Sequence, residues 1–296
     1  MAARSRSAIR SPIRTTPILS SRDEASSIPA WATESPIVLL TNTPRTNAMM
    51  SEDNTPTAFP INDATTARRI ARRSPGTSWA PPPTLGLMVV ETVHIPVADA
   101  TVTGRLARGG KAGVLLAHGA GTDQDHAGLV ALRDGLAGSG LTVLTFNYRY
   151  TELGRKRPDS QPVLLATHRA ARDYLENIVG GPVFLAGRSM GGRMGTYLAA
   201  AGEPCRGVIC YAYPLHPPGR TDKLRADHLS SIQVPILFFQ GTRDSLSRMD
   251  LFDEYVRPLP LATIEILEGA DHSFRGSQYL DRMVERTAEW IAVLTG

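Results

Sequence analysis

Three residues of the types that nucleophilic catalysis requires occur in order along this chain: Ser189, Asp244 and His272. A serine hydroxyl is a weak nucleophile until a base takes its proton, and a histidine base needs a carboxylate to hold its tautomer and orientation. Serine, then acid, then histidine is one of the chain orders in which such a triad occurs. The pattern predicts Ser189 as nucleophile, Asp244 as acid and His272 as base.

The serine lies in a short glycine motif. Residues 187–192 read Gly-Arg-Ser-Met-Gly-Gly and fit G-x-S-x-G, directly after the apolar run 183–186 and directly before the helical pattern 189–201. A sharp turn between strand and helix would push Ser189 out at the edge of a sheet, above a helix N-terminus that favours negative charge. The alternative is a junction of small residues that merely packs closely.

The two partners also follow apolar runs. Asp244 comes after residues 236–239, and His272 lies between residues 263–267 and the helical pattern 279–294. The ends of neighbouring parallel strands would bring them to the same edge as Ser189. Asp271 competes as the acid, but adjacent side chains in an extended loop point apart, so we expect a turn residue there.

An acyl-transfer site also needs donors for the oxyanion of its tetrahedral intermediate. Residues 118–121 read His-Gly-Ala-Gly and follow the apolar run 113–117. We expect the donors to be the amide of Met190 and that of Gly119 or Ala120. His118 is expected to hold this loop rather than to catalyse.

Asp123, Asp125 and His126 could suggest a metal when taken alone. Their spacing matches no strong ligand motif, and Asp125 is well placed to cap a helix that starts at Ala127. We predict neither a metal nor another cofactor.

These motifs are spaced by short apolar runs that alternate with helical patterns, which is typical of βαβ units on a mainly parallel sheet. The predicted fold is α/β, with a twisted sheet of about eight strands and helices on both faces. One apolar stripe is expected along the second helix, at Val163, Ala166, Ala170 and Tyr174. The predicted strands are 89–97 and 101–107 as an antiparallel pair, then 113–117, 141–146, 183–186, 207–211, 236–239 and 263–267; the predicted helices are 129–136, 161–178, 189–201 and 279–294.

The first 85 residues differ from the rest. They hold eleven of the 22 prolines and ten arginines against six acidic residues, so that the chain's net charge of +4 belongs to this leader. It is expected to be a disordered tail, a targeting peptide, or the product of a misplaced gene start with the initiator at Met88. Residues 86–296 are predicted to form the catalytic domain.

The neutral remainder indicates no nucleic-acid partner and no anionic membrane partner. The sequence has no apolar run of membrane-spanning length. Cys205 and Cys210 are expected to be reduced, buried thiols in a cytoplasmic protein. One sequence does not indicate the oligomeric state.

Taken together, these motifs resemble the α/β-hydrolase superfamily near its dienelactone-hydrolase-like group. More narrowly, residues 93–294 resemble small bacterial hydrolase-like proteins whose family includes a testis-expressed protein and a subunit of the non-specific lethal histone acetyltransferase complex. The stretches that carry this resemblance are 118–121, 187–193, 213–218, 223–225 with 227–229, and 241–244. The resemblance implies a serine hydrolase, and also an alternative, because some relatives use the fold as a scaffold for interaction.

Only some twenty residues separate Tyr213 from Val234, which leaves no room for a lid domain and favours a small acyl substrate. Arg188, beside the nucleophile, and Arg149, in a basic stretch that continues through residues 155–157, suggest a carboxylate- or phosphate-bearing substrate, or simply a solvated loop. Tyr213 and His216 are further candidates for substrate contacts.

We therefore expect a serine hydrolase that cleaves a small carboxylic ester or thioester through an acyl-enzyme. A peptidase or an acyltransferase could use the same triad. A non-catalytic scaffold is the alternative from another class.

Overall fold

A computed structural model describes residues 89–296, and the prediction for the leader, residues 1–85, lies outside them. Within residues 89–296 an opening hairpin is followed by alternating strands and α-helices, with eight strands and six α-helices in all. The strands are β1 (Val90–Val97), β2 (Ala100–Ala107), β3 (Gly113–Ala117), β4 (Thr142–Phe146), β5 (Val183–Arg188), β6 (Gly207–Tyr211), β7 (Ile236–Gly241) and β8 (Ala262–Leu267). The helices are α1 (Ala127–Gly138), α2 (Arg149–Glu152), α3 (Gln161–Val179), α4 (Met190–Ala200), α5 (Met249–Tyr255) and α6 (Ser277–Thr295).

The strands form one sheet in the order β1-β2-β4-β3-β5-β6-β7-β8. β1 pairs antiparallel with β2, and β2 pairs antiparallel with β4, whereas every pair from β4 to β8 is parallel. The predicted eight-strand, mainly parallel sheet is therefore confirmed. Its parallel pairing brings the carboxyl ends of β3, β5, β7 and β8 to one edge.

The central strands are buried on both faces, which explains why they read as continuous apolar runs rather than alternating ones. Along β3, Val114 and Leu116 pack with α1 and α6, while Leu115 and Ala117 pack with α3 and α4 on the opposite face. Successive side chains of a strand point to opposite faces, so one short run supplies both layers of the core. Helices on both faces are thereby confirmed.

The buried stripe of α3 lies one residue away from the predicted one. Leu164, His168, Ala171 and Leu175 are buried, while Ala166 is exposed. The apolar pattern missed this face because His168 is polar, and it enters the core by hydrogen bonding through Nδ1 to the Tyr148 hydroxyl at 3.0 Å.

The connection from β6 to β7 is short. Residues 212–235 contain one short 3₁₀ helix, Leu229–Ser231, as their only regular element. The absence of a lid domain between these strands agrees with the prediction. Across residues 89–296, the helices are too short or too polar to cross a bilayer.

Both cysteines are unpaired thiols. Cys210 is buried and Cys205 is half-buried. Burial raises the pKa of Cys205 to about 11 and raises that of Cys210 further, so neither is a ready nucleophile near neutral pH.

Replacement of Leu185 in the central strand tests the assignment of the core. Leu185 is fully buried, and Leu185→Ala should lower the free energy of unfolding by about 2–5 kcal/mol through lost burial and a residual cavity. Urea denaturation measures the change. Leu153 is 67% exposed, so Leu153→Ala is the matched control and should change stability by less than about 0.5 kcal/mol. Equal effects of the two substitutions would contradict the fold.

Candidate active site

Ser189 lies on a strained turn between β5 and α4. Its φ of 51° and ψ of −114° are in a region that non-glycine residues rarely adopt. The backbone amide of Ser189 donates to the Tyr211 carbonyl at 2.9 Å, which ties the turn to the neighbouring strand β6. The predicted strand, sharp turn and helix around this serine are confirmed.

The glycines on either side of Ser189 are required by close approach of the backbone. A Cβ atom on Gly187 would overlap the backbone of Gly191 and Gly192, and one on Gly191 would overlap the carbonyl of Ala117. No side-chain movement could relieve these overlaps, because the obstructing atoms are backbone. The turn therefore requires glycine at both positions.

The structure brings the three predicted side chains together. Ser189 Oγ lies 2.9 Å from His272 Nε2, and His272 Nδ1 lies 2.9 and 2.8 Å from the two carboxylate oxygens of Asp244. A carboxylate can only accept, so Nδ1 carries the proton and Nε2 is left to accept the serine proton.

Asp244 is buried and further fixed by two donors. The Leu246 amide donates to Oδ1 at 2.8 Å, and Gln240 Nε2 donates to Oδ2 at 2.9 Å. Sequence reasoning missed Gln240, although one signal was available: it is a polar residue that ends the apolar run of β7. Hydrogen bonds to both oxygens fix the orientation of the buried carboxylate toward His272.

Asp271 does not contact the histidine side chain in this way. Its Oδ1 accepts from the Ser273 amide at 2.8 Å, and its other oxygen lies 3.9 Å from Arg275 Nε. These contacts are those of a turn residue, as expected.

The loop at residues 118–121 lies against the serine. A Cβ atom on Gly119 would be 3.6 Å from both the Arg188 carbonyl oxygen and Ser189 Cβ. Met190 is the first residue of α4, so its amide has no acceptor within the helix. Backbone amides of both segments are thus available beside Ser189.

His118 holds this loop from beneath. Its Nδ1 donates to the Gly119 carbonyl at 2.8 Å, and its Nε2 accepts from the Tyr148 amide at 3.3 Å. Burial lowers the pKa of His118 to about 4, so the ring is neutral near pH 7. The contacts fit the structural role that the sequence suggested.

Arg188 lies under the loop that carries His272. Its Nη2 donates to the His272 carbonyl at 3.2 Å, and no described carboxylate pairs with it. Burial lowers the pKa of the guanidinium, while Asp271 and Asp244 oppose that effect. Arg188 also lines a cavity of about 220 Å³ between α1 and α6, with largely apolar walls. It is the one predicted substrate-contact residue that lies next to the three side chains.

The other predicted contacts have different partners. Arg149 forms an ion pair with Asp99, in the turn between β1 and β2, with 3.0 Å between Nη1 and Oδ1. Tyr213 is fully buried and donates to the Arg225 carbonyl at 2.6 Å. Burial raises the pKa of the Tyr213 hydroxyl.

The ring of His216 is also buried, and its Nε2 accepts from the Arg248 amide at 3.3 Å. The structure therefore gives these three residues supporting roles within the fold.

The acidic residues before α1 also differ from expectation. His126, not Asp125, is the N-cap of α1, and its Nδ1 accepts from the Gly128 amide at 3.2 Å. Asp125 instead pairs with Arg105, with 3.2 Å between Oδ1 and Nε. Asp123 Oδ1 accepts from the Asp125 amide in a local turn. Residues 89–296 contain no cluster of side chains suited to hold a metal ion.

Fold and site geometry together define the α/β-hydrolase class. The sequence model of the α/β-hydrolase domain family matches residues 110–293, and the chain belongs to that family.

Solved structures share the fold. Dienelactone hydrolase from Anabaena variabilis is 20% identical, with a TM-score of 0.60 over 70% of this chain and 98% of that one. An α/β serine hydrolase homologue from Coxiella burnetii is 18% identical, with a TM-score of 0.57 over 69% and 98% of the two chains. A lidless α/β serine hydrolase from Xanthomonas campestris is 18% identical, with a TM-score of 0.57 over 72% and 98%.

The neutral ring of His118 predicts a dependence of stability on pH. Its pKa is about 4 when folded against about 6.5 when unfolded, so the unfolded chain binds more protons between these values. The free energy of unfolding should therefore fall as pH drops from 7 to 5, with about 1–2 kcal/mol due to His118. His118→Gln should remove that part of the pH dependence in urea denaturation at the two pH values. His94→Gln, at an exposed position, is the control and should retain it; an unchanged pH dependence in His118→Gln would contradict the interpretation.

Proposed function

We propose that this chain is a serine hydrolase that cleaves a small carboxylic ester or thioester through an acyl-enzyme. The observation that supports it is the chain of hydrogen bonds from Asp244 through His272 to Ser189, with 2.8 Å and 2.9 Å between the bonded atoms. Nucleophile, base and orienting acid are in contact in the order that the chemistry needs.

In the proposed mechanism, Ser189 Oγ attacks the ester carbonyl carbon as His272 Nε2 takes the hydroxyl proton. Asp244 stabilises the imidazolium that forms. The amides of Met190 and of Gly119 or Ala120 donate to the tetrahedral oxyanion. The intermediate collapses when the bond to the leaving group breaks and His272 returns its proton to that group. A water molecule then attacks the acyl-enzyme through the same two steps, with His272 again taking and returning a proton. This releases the acid and restores Ser189.

The short connection between β6 and β7 supports a small substrate, because no domain covers the site from there. A cytoplasmic location and membership of the narrower group with the testis-expressed protein belong to the same proposal. A peptidase or an acyltransferase would use the same groups and differ only in the leaving group or the acceptor.

Removal of the nucleophile is the direct test of the proposal. The full chain should react with a fluorophosphonate probe at Ser189 and hydrolyse short p-nitrophenyl esters. Ser189→Ala should form no adduct, and its rate of ester hydrolysis should be lower than that of the wild type by a factor of about 10⁴–10⁶. Mass spectrometry of the adduct and absorbance at the p-nitrophenolate band are the measurements. Ser139→Ala, at an exposed serine after α1, is the control and should match the wild type. A folded wild-type chain that neither labels nor hydrolyses would favour the scaffold alternative.

The identity of the acid is tested by two aspartate substitutions. Asp244→Asn should lower kcat for the ester by about 10³–10⁴, because the amide no longer fixes the proton on His272 Nδ1. Asp271→Asn should lower it by less than about tenfold, since that residue holds a turn. Steady-state kinetics on one p-nitrophenyl ester compares the two variants. The opposite ranking would assign the acid to Asp271.

A further inference from the structure

Besides Arg188, which donates to the His272 carbonyl, two further arginines near the nucleophile have no carboxylate partner among the described residues. Arg193 Nε is buried and makes no hydrogen bond within residues 89–296, and Arg225 Nη1 reaches only the Pro214 carbonyl, at 3.5 Å. The buried Arg133 and Arg172, by contrast, pair with Asp134 and Asp173. Arg193 and Arg225 are half-buried, and partial loss of hydration is costly for a cation that has no counter-ion. These two arginines therefore lack the carboxylate partner that Arg133 and Arg172 have.

Arg193 is positioned to face the active-site edge of the sheet. It lies one helical turn after Ser189, and its amide donates to the Ser189 carbonyl at 3.1 Å. Side chains on a helix lean toward the helix N-terminus, which at α4 is the Ser189 turn.

The Arg193 charge affects the pKa values of two buried tyrosines, each of which follows a strand. Burial raises the pKa of the Tyr148 and Tyr213 hydroxyls, and Arg193 opposes that rise at both. Tyr148 follows β4 and Tyr213 follows β6, and β3 and β5 lie between those strands in the sheet. These two tyrosines thus flank the stretch of edge that carries the Gly119 loop and Ser189.

The segment that carries Arg225 packs against the same helix, α4. Thr196 Oγ1 donates to the Arg193 carbonyl at 2.7 Å and lies 2.8 Å from His228 Nε2, and the His228 ring stacks on Tyr197 with 3.9 Å between centroids. Tyr213 in turn donates to the Arg225 carbonyl. These contacts fix the segment of Arg225 beside that of Arg193.

The charges around this pair do not cancel. Burial and the Arg193 charge lower the pKa of Arg225, and they lower that of His228 to about 4, so His228 is neutral near pH 7. Asp227 is exposed and forms no ion pair with either arginine in the described part of the chain. The described residues thus supply no carboxylate that pairs with either of these two like charges.

We propose that Arg193 and Arg225 form a subsite for an anionic group, a carboxylate or a phosphate, on the ester that Ser189 attacks. A guanidinium presents parallel donors that match the oxygens of either group. The inference rests on the proposed function, since the anion belongs to the substrate of that reaction.

The test uses pairs of esters that differ only in charge. Mono-p-nitrophenyl glutarate and p-nitrophenyl valerate have acyl chains of equal length, and 4-acetoxybenzoate and phenyl acetate place the same difference on the leaving group. The full-length wild type should favour the anionic member of one pair by about tenfold or more in kcat/KM. Competition by glutarate and by inorganic phosphate then shows which anion binds more tightly.

The variants locate the preference. Arg193→Met and Arg225→Met should each reduce the ratio of anionic to neutral kcat/KM by about tenfold, mainly through KM for the anionic ester. Arg225→Lys keeps a charge and should retain part of the ratio. Arg257→Met, at an exposed arginine in the turn after α5, should leave both rates unchanged.

Equal rates on charged and neutral esters in the wild type, or an unchanged ratio in both methionine variants, would overturn the inference while hydrolysis itself stands. A chain that hydrolyses neither kind of ester and leaves Ser189 unlabelled would instead overturn the proposed function.

Discussion

The close approach of backbone around Ser189 is the constraint on which the rest of the site depends. Strand β5 and helix α4 meet so tightly that Gly187 contacts the start of the helix and Gly191 lies against the end of β3. That packing forces Ser189 into a positive φ, and the strain is sustained because the surrounding sheet and helix fix both ends of the turn. The Gly119 loop reaches the serine for the same reason, since it continues from β3.

The neighbouring polar groups keep this edge of the sheet rigid without adding charge to it. His118 and His168 are buried and neutral, and both are hydrogen-bonded to Tyr148. Their pKa values are lowered by burial, to about 4 and about 3. The charged groups at this edge are instead Asp244 on one side and arginines on the other.

The arginines near the site divide into different roles once their partners are known. Arg188 supports the His272 loop through a backbone carbonyl, and Arg149 belongs to an ion pair with the β1–β2 turn. Arg193 and Arg225 have no carboxylate partner within residues 89–296, and the Arg225 guanidinium reaches only the Pro214 carbonyl, at 3.5 Å. The same residue type therefore supports a loop, pairs with a turn, or has no carboxylate partner among the described residues, and the partners within reach decide which.

Much of the fold and of the candidate site could be predicted from the sequence alone, because the sequence patterns that indicate them are local. Apolar runs located all eight strands to within two residues, and glycine spacing located the turn at Ser189, since strand burial and close backbone approach restrict residue type at fixed positions. Pairings between distant residues could not be predicted in this way. Which side chain caps α1, which face of α3 is buried, and whether Arg149, Tyr213 or His216 lies near the serine all depend on what other segments bring within hydrogen-bonding distance. Only the tertiary structure decided these, because a polar side chain takes the partner that packing places beside it.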